Sequence, residues 1–530
     1  MAKQFEDSYL INLGRQTLAK IDYRVANTWK TSRTGAIRER FSQAYQESRT
    51  GHLLSRDLVK ESGIYTGLQD LLQKAGQLFD QKAATQTASL GRVYFVLLGI
   101  MLLLGSLVPW VLLPWKTALP AMLAFLLAVT ILYRVEIGVY AAALLLPFLP
   151  FKALLLLSLL TLVSVFIQRW RGRRFDFYFS PTWIPILIFI LIAFGATLTS
   201  VTFWTSVSEL FIPLTGIIFL FLMVCVLNQP QKLDNFMLCL ALAGLATAGY
   251  AIYQYYHGPG MEYLNVQWVD PSQTQEIKNR AYAVFENPNL LAQYLVLLTP
   301  LSLGALLATR IWWRKLLLGL TALVGIFCLL LTFSRGGWLA MIAALLVFGY
   351  FQNRQRLFTW LPVAAGALYA FSPAQITSRL STITSVQDSS NAYRLDTWNS
   401  TLSLLRDYWI TGVGLGRRAF GRVYATHMIN ANYVPHAHNL YLQLMSEFGI
   451  LGLTVFLWLI WRVFRLGCQL RTSASDFMRS LNAGVMGAGI GFLAHSVIDY
   501  FLWYYKLGIL FWFIVGIILV LEKMYRLERT

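Results

Sequence analysis

Apolar stretches long enough to cross a bilayer recur along almost the whole chain from about residue 92 onward. A hydrocarbon core of ~30 Å takes about 20 helical residues, and inside it each backbone polar group must be satisfied within its own segment. The pattern therefore predicts an all-α, polytopic integral membrane protein. Fourteen helices read out at 92–114, 117–133, 136–150, 152–168, 183–200, 209–227, 235–253, 289–308, 312–333, 337–352, 358–371, 441–462, 481–498 and 504–522. The pieces between 117 and 168, and 358–371, lie near or below the length of a span, so the expectation is about 12–14 transmembrane helices. A 57% hydrophobic and 13% charged composition over 530 residues excludes a soluble enzyme. The first apolar run starts near Arg92, so no cleaved secretory signal is expected. Cys225, Cys239, Cys328 and Cys468 sit in or beside apolar runs without metal-site spacing, which points to core positions.

Residues 1–91 break from this pattern and form a separate cytoplasmic segment ahead of the membrane domain, 92–530. Lys and Arg recur every few positions. Apolar residues keep helical spacing at Leu10, Leu13, Leu18, Ile21 and Val25, and again at Leu68, Leu71, Leu72 and Leu78. The segment is either a basic amphipathic helix on an anionic inner leaflet or a solvated tail.

The formal charge of +19 would suit a nucleic-acid partner in a soluble protein. In a membrane protein its distribution over the loops comes first, and no nucleic-acid partner is expected. With the N-terminus in the cytosol, 32 of the 44 Lys and Arg fall on inner segments, led by Arg169, Arg171, Arg173, Arg174 and by Arg310, Arg314, Lys315. Both termini are then cytoplasmic. The loops 254–288 and 372–440 share the outer face with Ser334-Arg335-Gly336-Gly337.

Polar groups at the mouth of a membrane helix are costly and tend to be functional. Arg335 offers a permanent charge and a fork of donors suited to phosphate oxygens. The paired glycines allow positive φ and close approach of a substrate. In the first outer loop Arg280 is a second phosphate ligand or a solvated loop arginine, and Asn287-Pro288-Asn289 marks a helix start. Loop 372–440 carries Arg379, Arg394, Arg406, Arg417, Arg418 and Arg422, half of the outer basic residues, which suggests an anionic ligand. Leu395, Trp398, Leu402 and Leu405 predict an amphipathic helix along the membrane surface, and Gly412-Val413-Gly414-Leu415-Gly416 reads as a flexible turn. His436-Ala437-His438-Asn439 lacks a third ligand at metal-site spacing, so no metal and no cofactor are expected. A neutral imidazole there could instead take a proton from an acceptor hydroxyl. Asn439 could orient the ring or cap the following helix.

Phe285–Tyr294, Leu330–Ala340, Tyr393–Tyr424 and His436–Gly452 resemble the O-antigen ligase and polymerase family of bacterial membrane glycosyltransferases, mainly over 280–460. The resemblance implies a helical bundle of the GT-C type in the bacterial cytoplasmic membrane. The implied reaction is metal-independent transfer of a glycan from undecaprenyl diphosphate to an acceptor (lipid, protein or wall polymer) on the outer face. Carried over, His438 is the catalytic base, Arg335 and Arg280 hold the diphosphate, and His436 assists. A narrower similarity runs through Trp268–Pro271, Asn287–Leu291, Thr332–Trp338 and Asp388–Asn391 to cyanobacterial proteins labelled bicarbonate transporters, which generally lack the histidine pair. A small-anion permease and an envelope-assembly scaffold are the alternative functions.

Overall fold

The structure is a computed structural model that describes residues 115–175, 177–258, 279–352, 389–430 and 433–528. Among these the chain is all-helical, with fourteen α-helices. They are α1 (Trp115–Tyr133), α2 (Val135–Leu145), α3 (Phe151–Trp170), α4 (Trp183–Leu198), α5 (Phe203–Val226), α6 (Pro230–His257) and α7 (Pro288–Ala308). There follow α8 (Trp312–Leu331), α9 (Arg335–Phe351), α10 (Ser389–Tyr408), α11 (Arg417–Tyr424), α12 (Leu440–Leu470), α13 (Asp476–His495) and α14 (Tyr505–Leu527). Seven of them (α3, α5, α6, α7, α8, α12 and α14) are long and apolar enough to cross a membrane. The chain is thus a multi-pass membrane protein. The N-terminal segment 1–91, the helices expected at 92–114 and 358–371, Arg379, Trp268–Pro271 and Asp388 lie outside the described residues.

Local signals set the helix starts. Pro288 occupies the first turn of α7, where its missing N–H costs nothing, and Asn287 accepts from the Asn289 amide at 2.8 Å. Ser334 caps α9, Asn439 caps α12 and Ser475 caps α13 through side-chain oxygens. The helix expected at 136–150 is shorter than that. α2 ends at Leu145 because a turn leads into Pro150, the N-cap of α3. Its 11 residues rise only about 16 Å, so α2 is not a span.

The centre of the bundle is α7 packed against α13 and α9. A Cβ on Gly304 would come within 2.7 Å of the Ser480 carbonyl, and one on Gly484 within 2.8 Å of the Pro300 carbonyl. Small residues here let two backbones approach, as in membrane helix pairs generally. α14 is buried from Lys506 to Met524 and apolar on every side from Leu507 to Leu521, as expected of a helix with no lipid-facing surface. Cys225 and Cys328 are buried as expected, whereas Cys468 is exposed because it falls on the outward side of α12.

A second, smaller core lies at one end of the bundle, where Leu404, Leu405, Val413, Phe420, Val423, Tyr424, Val434 and Ala437 cluster. The amphipathic helix foreseen around Leu395–Leu405 is α10, with a different inward face. Thr397, Ser400, Thr401, Leu404 and Leu405 are buried, while Leu395 and Leu402 are exposed. The buried hydroxyls are satisfied locally: Thr397 and Thr401 donate to the carbonyls of Tyr393 and Thr397, and Ser400 accepts from the Ile429 amide.

The 412–416 segment is not a flexible turn. Gly412, Gly414 and Gly416 all have positive φ (68°, 102° and 104°), a region glycine reaches without steric cost. A Cβ on Gly414 would meet the Ser200 backbone, and one on Gly416 would overlap the Glu209 carboxylate. With Val413 and Leu415 buried, the segment is a tightly seated connector.

Candidate active site

Two arginines converge on the turn between α8 and α9. The Ala281 amide donates to the Leu331 carbonyl at 2.9 Å, and Arg280 Nε donates to the Thr332 carbonyl at 2.8 Å. Arg335, half-buried, begins α9 and reaches Asn391 Oδ1 through Nη2 at 3.5 Å. The glycines that follow have another role than expected. The positive φ in this turn belongs to Phe333 (50°), while Gly336 and Gly337 are helical. A Cβ on Gly336 would overlap Ile498 and press on His495 at 3.0 Å. Gly336 therefore docks α9 against the end of α13, Gly337 docks it against Ala292 of α7 and Leu329 of α8, and neighbouring side chains occupy the space a substrate would need.

The histidine loop closes the same end of the bundle. His436 and His438 are buried, with ring centroids 4.1 Å apart. His438 has φ of 47°, a left-handed conformation that costs an L residue energy and persists only where surroundings enforce it. Its amide donates to His436 Nδ1 at 3.3 Å, and its carbonyl accepts from Trp398 Nε1 at 3.3 Å. Its own Nδ1 lies 3.3 Å from Asp499 Oδ1. Tyr393 meets the His438 ring edge-on at 5.7 Å.

Electrostatics fit a buried, ordered cluster. Burial alone would raise the Asp499 carboxyl, but the His438 hydrogen bond and the charges of His438, His436 and Arg394 hold it well below the usual carboxylate range. Burial, followed by the neighbouring His438, pushes His436 well below an ordinary histidine.

The arginine patch and the histidine loop meet across one turn of α10. Asn391 contacts Arg335, Tyr393 contacts His438, and Arg394 Nε donates to the Ile498 carbonyl at 2.9 Å, beside Asp499. The remaining expected site residues divide. Arg417 stacks its guanidinium 4.1 Å above Trp503, which in turn stacks on His436. Arg418 is exposed on α11 and joins no part of this cluster in the described contacts. Asn439 does what a cap does: Oδ1 accepts from the Tyr441 and Leu442 amides, and Nδ2 donates to the Val497 carbonyl at 2.8 Å.

Residues that the sequence reading did not single out complete the site. Asp499 belonged to no motif, Trp398 was visible only as part of a helical stripe, and Tyr393 only as the edge of a stretch that resembles the family. Glu447, inside an apolar run, was passed over. A carboxylate among tryptophans and tyrosines between two apolar runs was the available signal for Asp499. With it, His436, His438 and Asp499 become a trio whose ligand atoms lie within 4.8 Å of one another and could hold a metal ion.

Residues 320–457 match the O-antigen ligase family model. The match bears out the resemblance over α9–α11, most of α8 and the first half of α12. It takes in Arg335, Arg394, Arg417, His436 and His438, and leaves out Arg280 and Asp499. No curated protein matches the chain. The O-antigen ligase match thus lies among helices long and apolar enough to cross a membrane.

Proposed function

We propose that the chain transfers a glycan from undecaprenyl diphosphate to an acceptor hydroxyl on the outer face of the bacterial cytoplasmic membrane. Arg335 and Arg280 hold the diphosphate, and His438 is the general base. The observation that carries this reading is the His438–Asp499 contact of 3.3 Å, one helical turn of α10 away from the Arg335 contact. With Nδ1–H donated to Asp499, the His438 imidazole keeps its lone pair on Nε2. The acceptor oxygen attacks the anomeric carbon as its proton passes to Nε2. The bond from that carbon to the diphosphate oxygen breaks, and the electron pair leaves with the diphosphate. The displacement inverts the anomeric centre. Negative charge grows on the leaving group during this step, so fixed guanidinium groups stabilise the transition state more than the ground state. Asp499 stabilises the imidazolium that forms.

The reaction as proposed needs no metal. The His436–His438–Asp499 trio favours one second reading, in which a bound divalent ion activates the acceptor hydroxyl in place of the imidazole. Purified protein assayed for consumption of a lipid-diphosphate-linked glycan separates the two. Chelator should leave turnover unchanged, while His438→Ala and Arg335→Ala each lower it by roughly 10²–10⁴-fold. Unchanged consumption in both variants sinks the transferase mechanism, and loss of turnover on chelation, restored by metal, favours the second reading.

A further inference from the structure

The mechanism above uses the His438 ring but not the device that keeps its backbone in place. Gln443, fully buried in the first turn of α12, accepts the Ala437 amide on Oε1 at 2.7 Å. Its Nε2 donates to Glu447 Oε1 at 2.7 Å, one turn further along the helix. Glu447 is also buried, and its other oxygen accepts from the Tyr500 hydroxyl at 3.4 Å. Ala437 lies between the two histidines, and Tyr500 adjoins Asp499. A single chain of hydrogen bonds therefore runs from the histidine loop, through α12, to the segment that carries the histidine's carboxylate partner.

The direction of this chain is fixed chemically. The Ala437 amide can only donate, so it takes the carbonyl end of Gln443 and turns the NH2 end toward Glu447, whose carboxyl keeps an accepting oxygen whether or not it carries a proton. Buried polar chains of this kind are retained only when every member is paired. The segment they grip is the one in which His438 takes a left-handed backbone, at φ of 47°, and such a residue relaxes when its restraints are cut.

We infer that Gln443, with Glu447 behind it, is a positioning residue that holds the strained His436–His438 turn so that the His438 ring stays on Asp499. The inference rests on His438 acting as the base. It is tested in membranes and in purified full-length protein with lipid-diphosphate-linked glycan as donor. Gln443→Leu removes both hydrogen bonds, and Gln443→Asn keeps an amide one methylene too short to bridge them. Each should lower kcat by roughly 10²-fold, the scale of a base displaced by about 1 Å, with KM for the donor retained and the thermal midpoint lowered only by the loss of two buried hydrogen bonds. Glu447→Gln keeps an acceptor for Gln443 and should give at least ten times the kcat of Glu447→Leu.

Folded Gln443 variants with wild-type kcat overturn the inference, and if His438→Ala is inactive in the same assay the base reading survives. A fall in kcat and thermal midpoint together, with no difference between Glu447→Gln and Glu447→Leu, overturns it in favour of a structural role alone. Turnover that survives His438→Ala removes both the base and the need to position it.

Discussion

His436 shows how far a single side chain's surroundings govern the site. It stacks on Trp503 and touches the His438 ring, and burial first, then the charge of His438, lowers its affinity for a proton well below the ordinary 6.5. In the unfolded chain the same imidazole binds a proton below pH 6.5. Over that window the unfolded state holds more protons than the folded one, so stability rises with pH. His436 therefore contributes fully above about pH 6.5, and its contribution is lost as pH falls from there toward the folded value. The slope reaches at most about 1.4 kcal/mol per pH unit for one proton. Asp499, whose carboxyl is held below the usual range, loses its contribution only at lower pH and adds no slope near pH 6. Thermal midpoints of detergent-solubilised protein should thus fall between pH 7 and 5, and His436→Gln should flatten that limb. An equally steep limb in the variant would assign the acid sensitivity elsewhere. The two histidines were legible because they stand two residues apart in a polar island. Asp499 was not, because its pairing with His438 exists only once α12 and α13 have packed.

At the scale of helices, hydrophobic runs announced most of the spans, yet the residues that shape the site act at helix ends, where sequence patterns are weakest. Ser334 and Asn439 are ordinary caps by residue type. The unusual backbone falls on Phe333 and His438, neither of which propensity would nominate. The Gly336-Gly337 pair was expected to allow positive φ and close approach of a substrate, and instead it seats α9, Gly336 against α13 and Gly337 against α7 and α8. Three close-packed, positive-φ glycines make the 412–416 segment rigid, and the same composition reads as flexible in a sequence. The α9–α13 contact gives an element-level prediction. Gly336→Ala forces Ile498 and His495 to move and should destabilise by about 1–3 kcal/mol, the usual cost of overpacking. Because Ile498 leads directly to Asp499, glycan transfer should fall as well. Adding Ile498→Ala opens space for the new methyl and should restore part of both losses, measured as thermal midpoint and turnover. A double variant no better than Gly336→Ala would show that His495, and not Ile498, makes the limiting contact.

Across the whole bundle, charge separates the two ends. Away from the site, Glu136 pairs with Arg173 and Lys232, Asp234 with Arg314, and Glu522 with Arg526. The basic clusters assigned to the inner side by the loop count therefore gather at one end of the helices. Arg280, Arg335, Arg394 and Arg417 gather at the other, together with Lys506, which donates to the Val284 carbonyl at 2.9 Å. The partition was legible because helix length forces successive loops to alternate. It fixes which charges share a face, and the positive-inside rule then proposes that the site end is outside. That orientation is required of an enzyme acting on outward-facing lipid-linked glycan. It can be tested without any activity, in a background lacking Cys225, Cys239, Cys328 and Cys468. Ala425 is exposed at the site end and Arg310 at the opposite end. In intact spheroplasts a membrane-impermeant maleimide should label Ala425→Cys directly, and label Arg310→Cys only after permeabilisation. The reverse pattern would put His438 on the cytoplasmic side and exclude the outer-face reaction, whatever the fate of the catalytic variants.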